Sequence, residues 1–283
     1  MNNRDKIIYE TLSRLTESKR CSSLWQASNT PPQKSVLSQI VRLISEVIFP
    51  EYLLDCSEDM THHRVAINLE KIDILLSDQI KRAMHFKGLA SKSPDSIEQL
   101  TTLFICSIPE IKELLTTDVE AMYKADPAAT SYAEVVLCYP SIVAMTHHRI
   151  AHSLHSLGVP IIPRLIAELA HSESGIDIHP AATIGSHFAI DHGTGVVIGE
   201  TSIIGKNVVV YQGVTLGAKG FRFDEEGNVI NIPRHPIIED NVRIYSNSSI
   251  LGRITIGHDS IIGGNMWIDQ DILPHSKISK SIK

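Results

Sequence analysis

One feature of this chain constrains its fold more than any other: from Ile178 onward an aliphatic side chain returns at every sixth position. Ile178, Ile184 and Ile190 follow that step; after a two-residue interruption, Ile198, Ile204, Val210 and Leu216 resume it. A non-repeating segment from Gly217 to Ile237 intervenes. Then Ile238, Ile244, Ile250, Ile256, Ile262 and Ile268 keep the step without exception. Two positions ahead of these aliphatics the side chains are often small or β-branched: Ala182, Val196, Ser202, Val208, Val214, Val242, Ser248 and Ser260. A period of six fits neither the 3.6 of an amphipathic helix nor the 2 of a half-buried strand. It is the signature of a hexapeptide solenoid, in which each unit forms one flat side of a triangular prism. Three units close a coil, and each coil buries its core only against its neighbours.

The residues before this repeat read as helices. In "LSQIVRLISEVIF" the residues Leu37, Ile40, Val41, Ile44, Val47 and Ile48 form one apolar stripe. "HRVAINLEKIDILLSDQIKRAMHF" continues in that manner, and Ser93-Pro94 marks a helix start before "DSIEQLTTLFICSIPEIKELL". "YPSIVAMTHHRIAHSLHSLG" ends at Gly158, and "PRLIAELAHS" closes the half. The expected class is α+β: an N-terminal all-helical domain over 1–174, then a left-handed parallel β-helix over 175–273 with one long protruding loop at 217–237, then a short tail at 274–283.

With a net charge of -6, nothing basic dominates, so neither nucleic acid nor an anionic membrane is an expected partner. No apolar run approaches the roughly 20 residues of a membrane span, and "MNNRDKIIYETLSR" does not read as a signal peptide. The four cysteines, Cys21, Cys56, Cys106 and Cys138, contain no CxxC pair and read as reduced, mostly buried thiols of a cytoplasmic protein.

A solenoid is a scaffold, so chemistry must come from residues that break its pattern. Three places do. Asp191-His192 stands beside the two-residue interruption in "IDHGTGVVIGET". "GIDIHP" puts Asp177 and His179 at the entry to the first coil. The excursion "GAKGFRFDEEGNVINIPRHP" returns to the prism carrying Arg234-His235. Loops thrown from a rigid scaffold are favoured places for binding groups. His147, His148 and His152 lie on a helix and read as packing or surface residues.

"DIHPAATIG", "DHGTGVVIGET", "VTLGAKG" and "RHPIIEDNV", with "DPAA" and "HRIAH" in the helical half, resemble the serine O-acetyltransferase family over about residues 126 to 270. The resemblance implies acetyl transfer from acetyl-CoA to the hydroxyl of L-serine, giving O-acetyl-L-serine for cysteine biosynthesis. His192 would be the general base and Asp177 would hold and polarise its imidazole. Asp126 and Asp191 would bind the substrate ammonium, Arg234 its carboxylate, and His235 would help position it. Acetyl-CoA would lie near Ala218, Lys219 and Ser246. There the chain departs from the family's common pattern: "LGAKG" stands for "LGGTG" and "IYSNS" for "IGAGA", and the excursion is longer than the common form. The resemblance also implies a homotrimer, often paired into a hexamer, with feedback inhibition by L-cysteine. Family members bind cysteine synthase through a tail ending in Ile; this chain reads "HSKISKSIK", so that complex is not expected.

The residue types suit this chemistry. An imidazole removes a hydroxyl proton during attack, and a carboxylate on its far nitrogen fixes the tautomer. Arg offers a planar fork to a carboxylate. No Cys or Ser nucleophile stands among the motifs, so transfer is expected to be direct. With three hexapeptides per coil, Asp177 is expected to stack near position 195, beyond His192, leaving their contact open. Two alternatives stand: acetylation of another amino-alcohol such as homoserine, and a zinc enzyme on the same scaffold resembling the γ-class carbonic anhydrases. For acyl transfer no metal is expected.

Overall fold

A computed structural model of the chain describes residues 3–16, 30–55, 57–89 and 94–279. Its helices are α1 (Asn3–Thr16), α2 (Lys34–Ile48), α3 (Pro50–Leu53), α4 (Glu58–Phe86), α5 (Pro94–Ala125), α6 (Tyr132–Cys138), α7 (Pro140–Ser156) and α8 (Ile162–Ser174). The stripe read from α2 is buried, with Leu43 added and Val47 only half-covered. Pro stands in the first turn of α3, α7 and α8, where its missing N–H leaves no helical bond unmade. Helix α6 is too short for periodicity to reveal; Ser131 caps it, its Oγ accepting the Glu134 N–H at 3.1 Å. Helix α8 stops at Gly175, whose φ of 71° lets its N–H return to His171 O at 2.9 Å.

Just beyond that glycine the left-handed parallel β-helix begins, about 5 turns long. Its first face stacks β1 (Asp177–Ile178), β4 (Val197–Ile198), β7 (Thr215–Gly217), β10 (Ser249–Leu251) and β13 (Trp267–Ile268). The second stacks β2 (Thr183–Ile184), β5 (Ile203–Ile204), β8 (Ile237–Ile238) and β11 (Thr255–Ile256). The third stacks β3 (Ala189–Asp191), β6 (Val209–Tyr211), β9 (Arg243–Ile244), β12 (Ile261–Ile262) and β14 (Lys277–Ile278). Every hexapeptide aliphatic is buried, and so are the named small or β-branched residues two positions ahead, from Ala182 to Ser260. The sequence period is therefore the core itself.

The coils are unequal. Asp177 pairs with Val197 rather than stacking near position 195, because the two-residue interruption belongs to that coil. Val197 pairs with Thr215, the regular spacing of three hexapeptides, whereas the coil from Thr215 to Ser249 contains the whole excursion. Ile261 pairs with Lys277, so the last coil is shorter than the regular three units. The prism thus continues to Ile278, and the first residues of the expected tail belong to its last coil; residues beyond 279 lie outside the described ones. At the edge between the second and third faces, His187, Asn207, Asn241, Asp259 and His275 all adopt left-handed backbone with φ between 57° and 60°. Asn and Asp tolerate that conformation best of the side-chain-bearing residues. Asn207 Nδ2 donates to Asn241 Oδ1, and Asn241 Nδ2 to Asp259 Oδ1, each at 3.1 Å.

A buried clamp joins the halves. Arg149 of α7 pairs with Asp118 of α5 through Nε and Nη2, both at 3.1 Å, and also donates to the carbonyls of Ile184 and Gly185 in the first coil. Asp118 Oδ1 accepts the Phe188 N–H at 3.0 Å. Burial pushes the Asp118 carboxyl up despite that guanidinium. The cysteine reading needs correction: Cys106 and Cys138 are free but exposed, on outward faces of α5 and α6, while Cys21 and Cys56 lie outside the described residues. No helix among the described residues is long and apolar enough to cross a membrane.

Candidate active site

The candidate residues read from the sequence gather at two edges of the prism. At the edge between the third and first faces, the two-residue interruption swells the turn after β3. His192 takes φ 59° and Gly193 φ 81°. A side chain at Gly193 would meet Ile176 Cδ1 at 2.5 Å, so only glycine lets the turn close against the first coil. The turn carries the His192 ring into solvent, its side chain 72% exposed, with Nδ1 3.8 Å from Asp191 Oδ1. Asp177 opens the strand at this same edge one coil earlier. Among the described residues, the carboxylate within ion-pairing distance of His192 is Asp191, not Asp177.

Residues from the helical half complete this edge. Asp126, in the turn after α5, accepts from Ala128 N at 2.8 Å and from the Tyr139 hydroxyl at 2.6 Å. The Tyr139 bond, then that backbone N–H, hold the Asp126 carboxyl below its ordinary value, and the charge of His192 adds to this. The same bond, then burial and the charges of Asp126, Glu134 and Asp191, push Tyr139 up to about 12. An imidazole thus faces a cluster of carboxylates, a setting that attracts a cation.

At the edge between the first and second faces, the excursion leaves β7 and returns at Arg234-His235. Here Thr201 organises both residues. Its Oγ1 accepts the N–H of Arg234 at 2.9 Å and of His235 at 3.0 Å, and lies 2.9 Å from His235 Nδ1. The Thr201 N–H also donates to His235 Nδ1 at 3.1 Å. With Nδ1 accepting, the proton of the neutral ring sits on Nε2. The ring packs on Gly199, where a Cβ would stand 2.0 Å from His235 Cδ2. Burial, then the Arg234 charge, lower the His235 pKa. Arg234 pairs with Glu200, and its Nε is buried without a partner. Burial pushes Glu200 up, but the hydrogen bond and charge of Arg234 outweigh it and hold the carboxyl below its ordinary value. His179 is pushed down to about 4, by burial first and the charge of Arg164 second.

The residues expected around acetyl-CoA divide in the same way. Ala218 and Lys219 begin the excursion; Lys219 lines a cavity together with Arg234, and its Nζ pairs with Asp269 at 2.9 Å. Ser246 lies in a turn at the His192 edge, its carbonyl accepting from Asn265 N at 2.9 Å. Thus Asp126, Asp191, His192 and Ser246 share one edge, with Asp177 beneath, and Ala218, Lys219, Arg234 and His235 share another. Sequence reasoning missed Tyr139, Glu200 and Thr201. Glu200-Thr201, in the unit after the Asp191-His192 turn, carried no spacing signal of its own.

No protein-family model matches the chain. A curated serine acetyltransferase, plasmid form, from Synechococcus elongatus is 44% identical over 284 residues, covering 92% of this chain and 89% of that protein. The chain belongs to the serine acetyltransferase family. Solved serine acetyltransferases share its fold. Serine acetyltransferase 1 of Entamoeba histolytica, in complex with L-cysteine, has a TM-score of 0.75 and 34% identity, covering 89% of this chain and 88% of that one. The Neisseria gonorrhoeae serine acetyltransferase, in complex with serine, has a TM-score of 0.57 and 26% identity, covering 86% of this chain and 95% of that one. Neither a zinc-dependent anhydrase nor an acetylase of another amino-alcohol finds support among these serine acetyltransferases.

Proposed function

We propose that this serine acetyltransferase transfers the acetyl group of acetyl-CoA to the hydroxyl of L-serine in a cleft between two copies of the chain. The observation that carries this reading is the division of the site. The base and the ammonium-attracting carboxylates stand on one prism edge, Arg234 and His235 on another. A free amino acid needs both, so the His192 edge of one copy faces the Arg234 edge of the next. A closed ring of three copies satisfies every such pairing. Pairing of two rings through the helical halves would give a hexamer.

The reaction follows from these positions. His192 takes the proton of the serine hydroxyl as its oxygen bonds to the thioester carbonyl carbon. The tetrahedral intermediate collapses with cleavage of the C–S bond, and the imidazolium returns the proton to the CoA thiolate. Asp126 and Asp191 hold the ammonium. Arg234, whose buried Nε–H has no partner within the chain, takes the carboxylate, and the Nε2–H of His235 fixes its orientation. Asp177 or Asp191 stabilises the imidazolium. The pair Asp177→Asn and Asp191→Asn separates these roles: the partner's loss lowers kcat, whereas loss of an ammonium ligand raises KM for serine. Cysteine matches serine in size and charge and competes for the same cleft.

The deciding experiment mixes two inactive variants. His192→Ala and Arg234→Ala should each lower serine-dependent CoA release by about two to four orders of magnitude. Unfolded together and refolded as mixed assemblies, they should regain a substantial fraction of native activity, because some clefts then hold an intact His192 and an intact Arg234. No recovery in verified mixed assemblies would place the whole site within one chain. Native rates with His192→Ala would remove the base. The same assay at limiting serine should slow when cysteine is added; an unchanged rate would refute competition.

A further inference from the structure

The edge that carries the asparagine column ends in three side chains whose donor atoms face one another. His258, Asp259 and His275 each offer one ligand atom, and all three lie within 4.8 Å of each other. Asp259 Oδ2 is 2.7 Å from His258 Nδ1 and 3.8 Å from His275 Nδ1. Ligands on a tetrahedral zinc with bonds near 2.0–2.1 Å stand roughly 3.3 Å apart, so the observed separations bracket that value.

The cluster is built rather than incidental to flexible side chains. Asp259 and His275 both occupy left-handed corner positions, with φ of 57° and 59°. The His275 N–H donates to the carbonyl of His258 at 2.8 Å, which ties the two coils at this point. The His258 N–H donates to Glu239 Oε2 at 2.8 Å. Asn241 Nδ2 holds Asp259 Oδ1, so that Oδ2 is the oxygen turned to the histidines. An outer hydrogen bond that aims a ligating carboxylate is a regular part of metal sites. The two rings meet edge to face, centroids 4.9 Å apart.

We propose that His258, Asp259 and His275 bind a divalent first-row transition metal, zinc foremost, with solvent completing the coordination. Two imidazoles and one carboxylate suit such ions better than magnesium or calcium. The cluster lies toward the C-terminal end of the prism, away from both edges assigned to acyl transfer, and takes no part in it. Its role is structural. His258 and Asp259 belong to one coil and His275 to the next, the shortened coil that ends in β14. A solenoid's terminal coil has a neighbour on one side only and needs a cap. A metal bridging these residues staples it to the coil beneath.

The test uses the full-length chain without a histidine tag, stripped with a chelator and titrated with zinc against a chromophoric competitor. One zinc per chain should bind, and His275→Gln and Asp259→Asn should each weaken it at least about tenfold. Cobalt(II) should give the visible d–d bands of a low-coordinate nitrogen–oxygen site, absent from both variants. Zinc should slow amide exchange at 272–278 in the native chain alone. Equal zinc affinity in native and variant chains, or exchange at 272–278 that zinc leaves unchanged, would overturn the proposal.

Discussion

The Thr201 hydroxyl has one proton and two lone pairs, and all three are committed. The lone pairs accept the N–H groups of Arg234 and His235, and the proton reaches His235 Nδ1. One side chain therefore sets the backbone that aims the carboxylate fork and the tautomer of the adjacent ring. Thr201→Ala should lower kcat/KM for serine by about tenfold to a hundredfold, the scale of one or two lost hydrogen bonds, with Thr201→Ser close to native. Steady-state kinetics on both variants checks this, and a native value for the alanine variant refutes it. His179 offers a pH prediction. Its folded pKa, about 4, lies below the ordinary 6.5, so the folded state resists its protonation. The stability this contributes is fully present above pH 6.5 and is lost as pH falls through 4. In an NMR titration its ring resonance should stay neutral until near pH 4 and vanish from the spectrum of His179→Gln. A midpoint close to the ordinary histidine value would contradict the burial argument.

At the scale of elements, the turn after β3 departs from its own column. Gly195, Gly213, Asn247 and Asn265 form the left-handed corners of this edge. His192 and Gly193 stand in the enlarged turn ahead of them, and both also have positive φ. Strain of this kind persists where surrounding packing enforces it. Gly193→Ala brings a methyl into Ile176 at a backbone angle alanine resists. It should cost about 1–3 kcal/mol of stability and abolish most CoA release, since relief of the clash moves His192. Thermal melting alongside the CoA assay checks both; unchanged activity would mean that the turn does not set the position of His192. The element was legible as an interruption in the count of six. The interruption enlarges the first coil and so shifts the pairing of Asp177 to Val197. The expected position 195 took three regular hexapeptides per coil and left the two extra residues, which fall between Ile190 and Ile198, out of the count.

For the whole molecule, the column of aliphatics was readable because burial at a fixed period leaves its trace in every coil. The helical half was readable in its long helices and not in α6, which is shorter than two turns. The partition of the site between two edges was invisible, since Asp191-His192 and Arg234-His235 look alike as charged pairs at breaks. Only closure of the prism separates them. The Arg149–Asp118 clamp was equally silent, because its partners are far apart in the chain and lie within helices of ordinary pattern. Arg149→Met leaves Asp118 buried without its counter-charge and should destabilise the fold by about 3–5 kcal/mol. Denaturant unfolding measures this, and a loss below about 1 kcal/mol would exclude a structural role for the pair.

That clamp also gives the solenoid a direction. Its first coil is pinned to helices α5 and α7, whereas among the described residues the coil ending at Ile278 rests on one neighbour. Opening therefore proceeds from the far end inward, coil by coil, and reaches the turn that bears His192 last. A preparation whose C-terminal end has already been trimmed by protease would still hold its catalytic edge in shape.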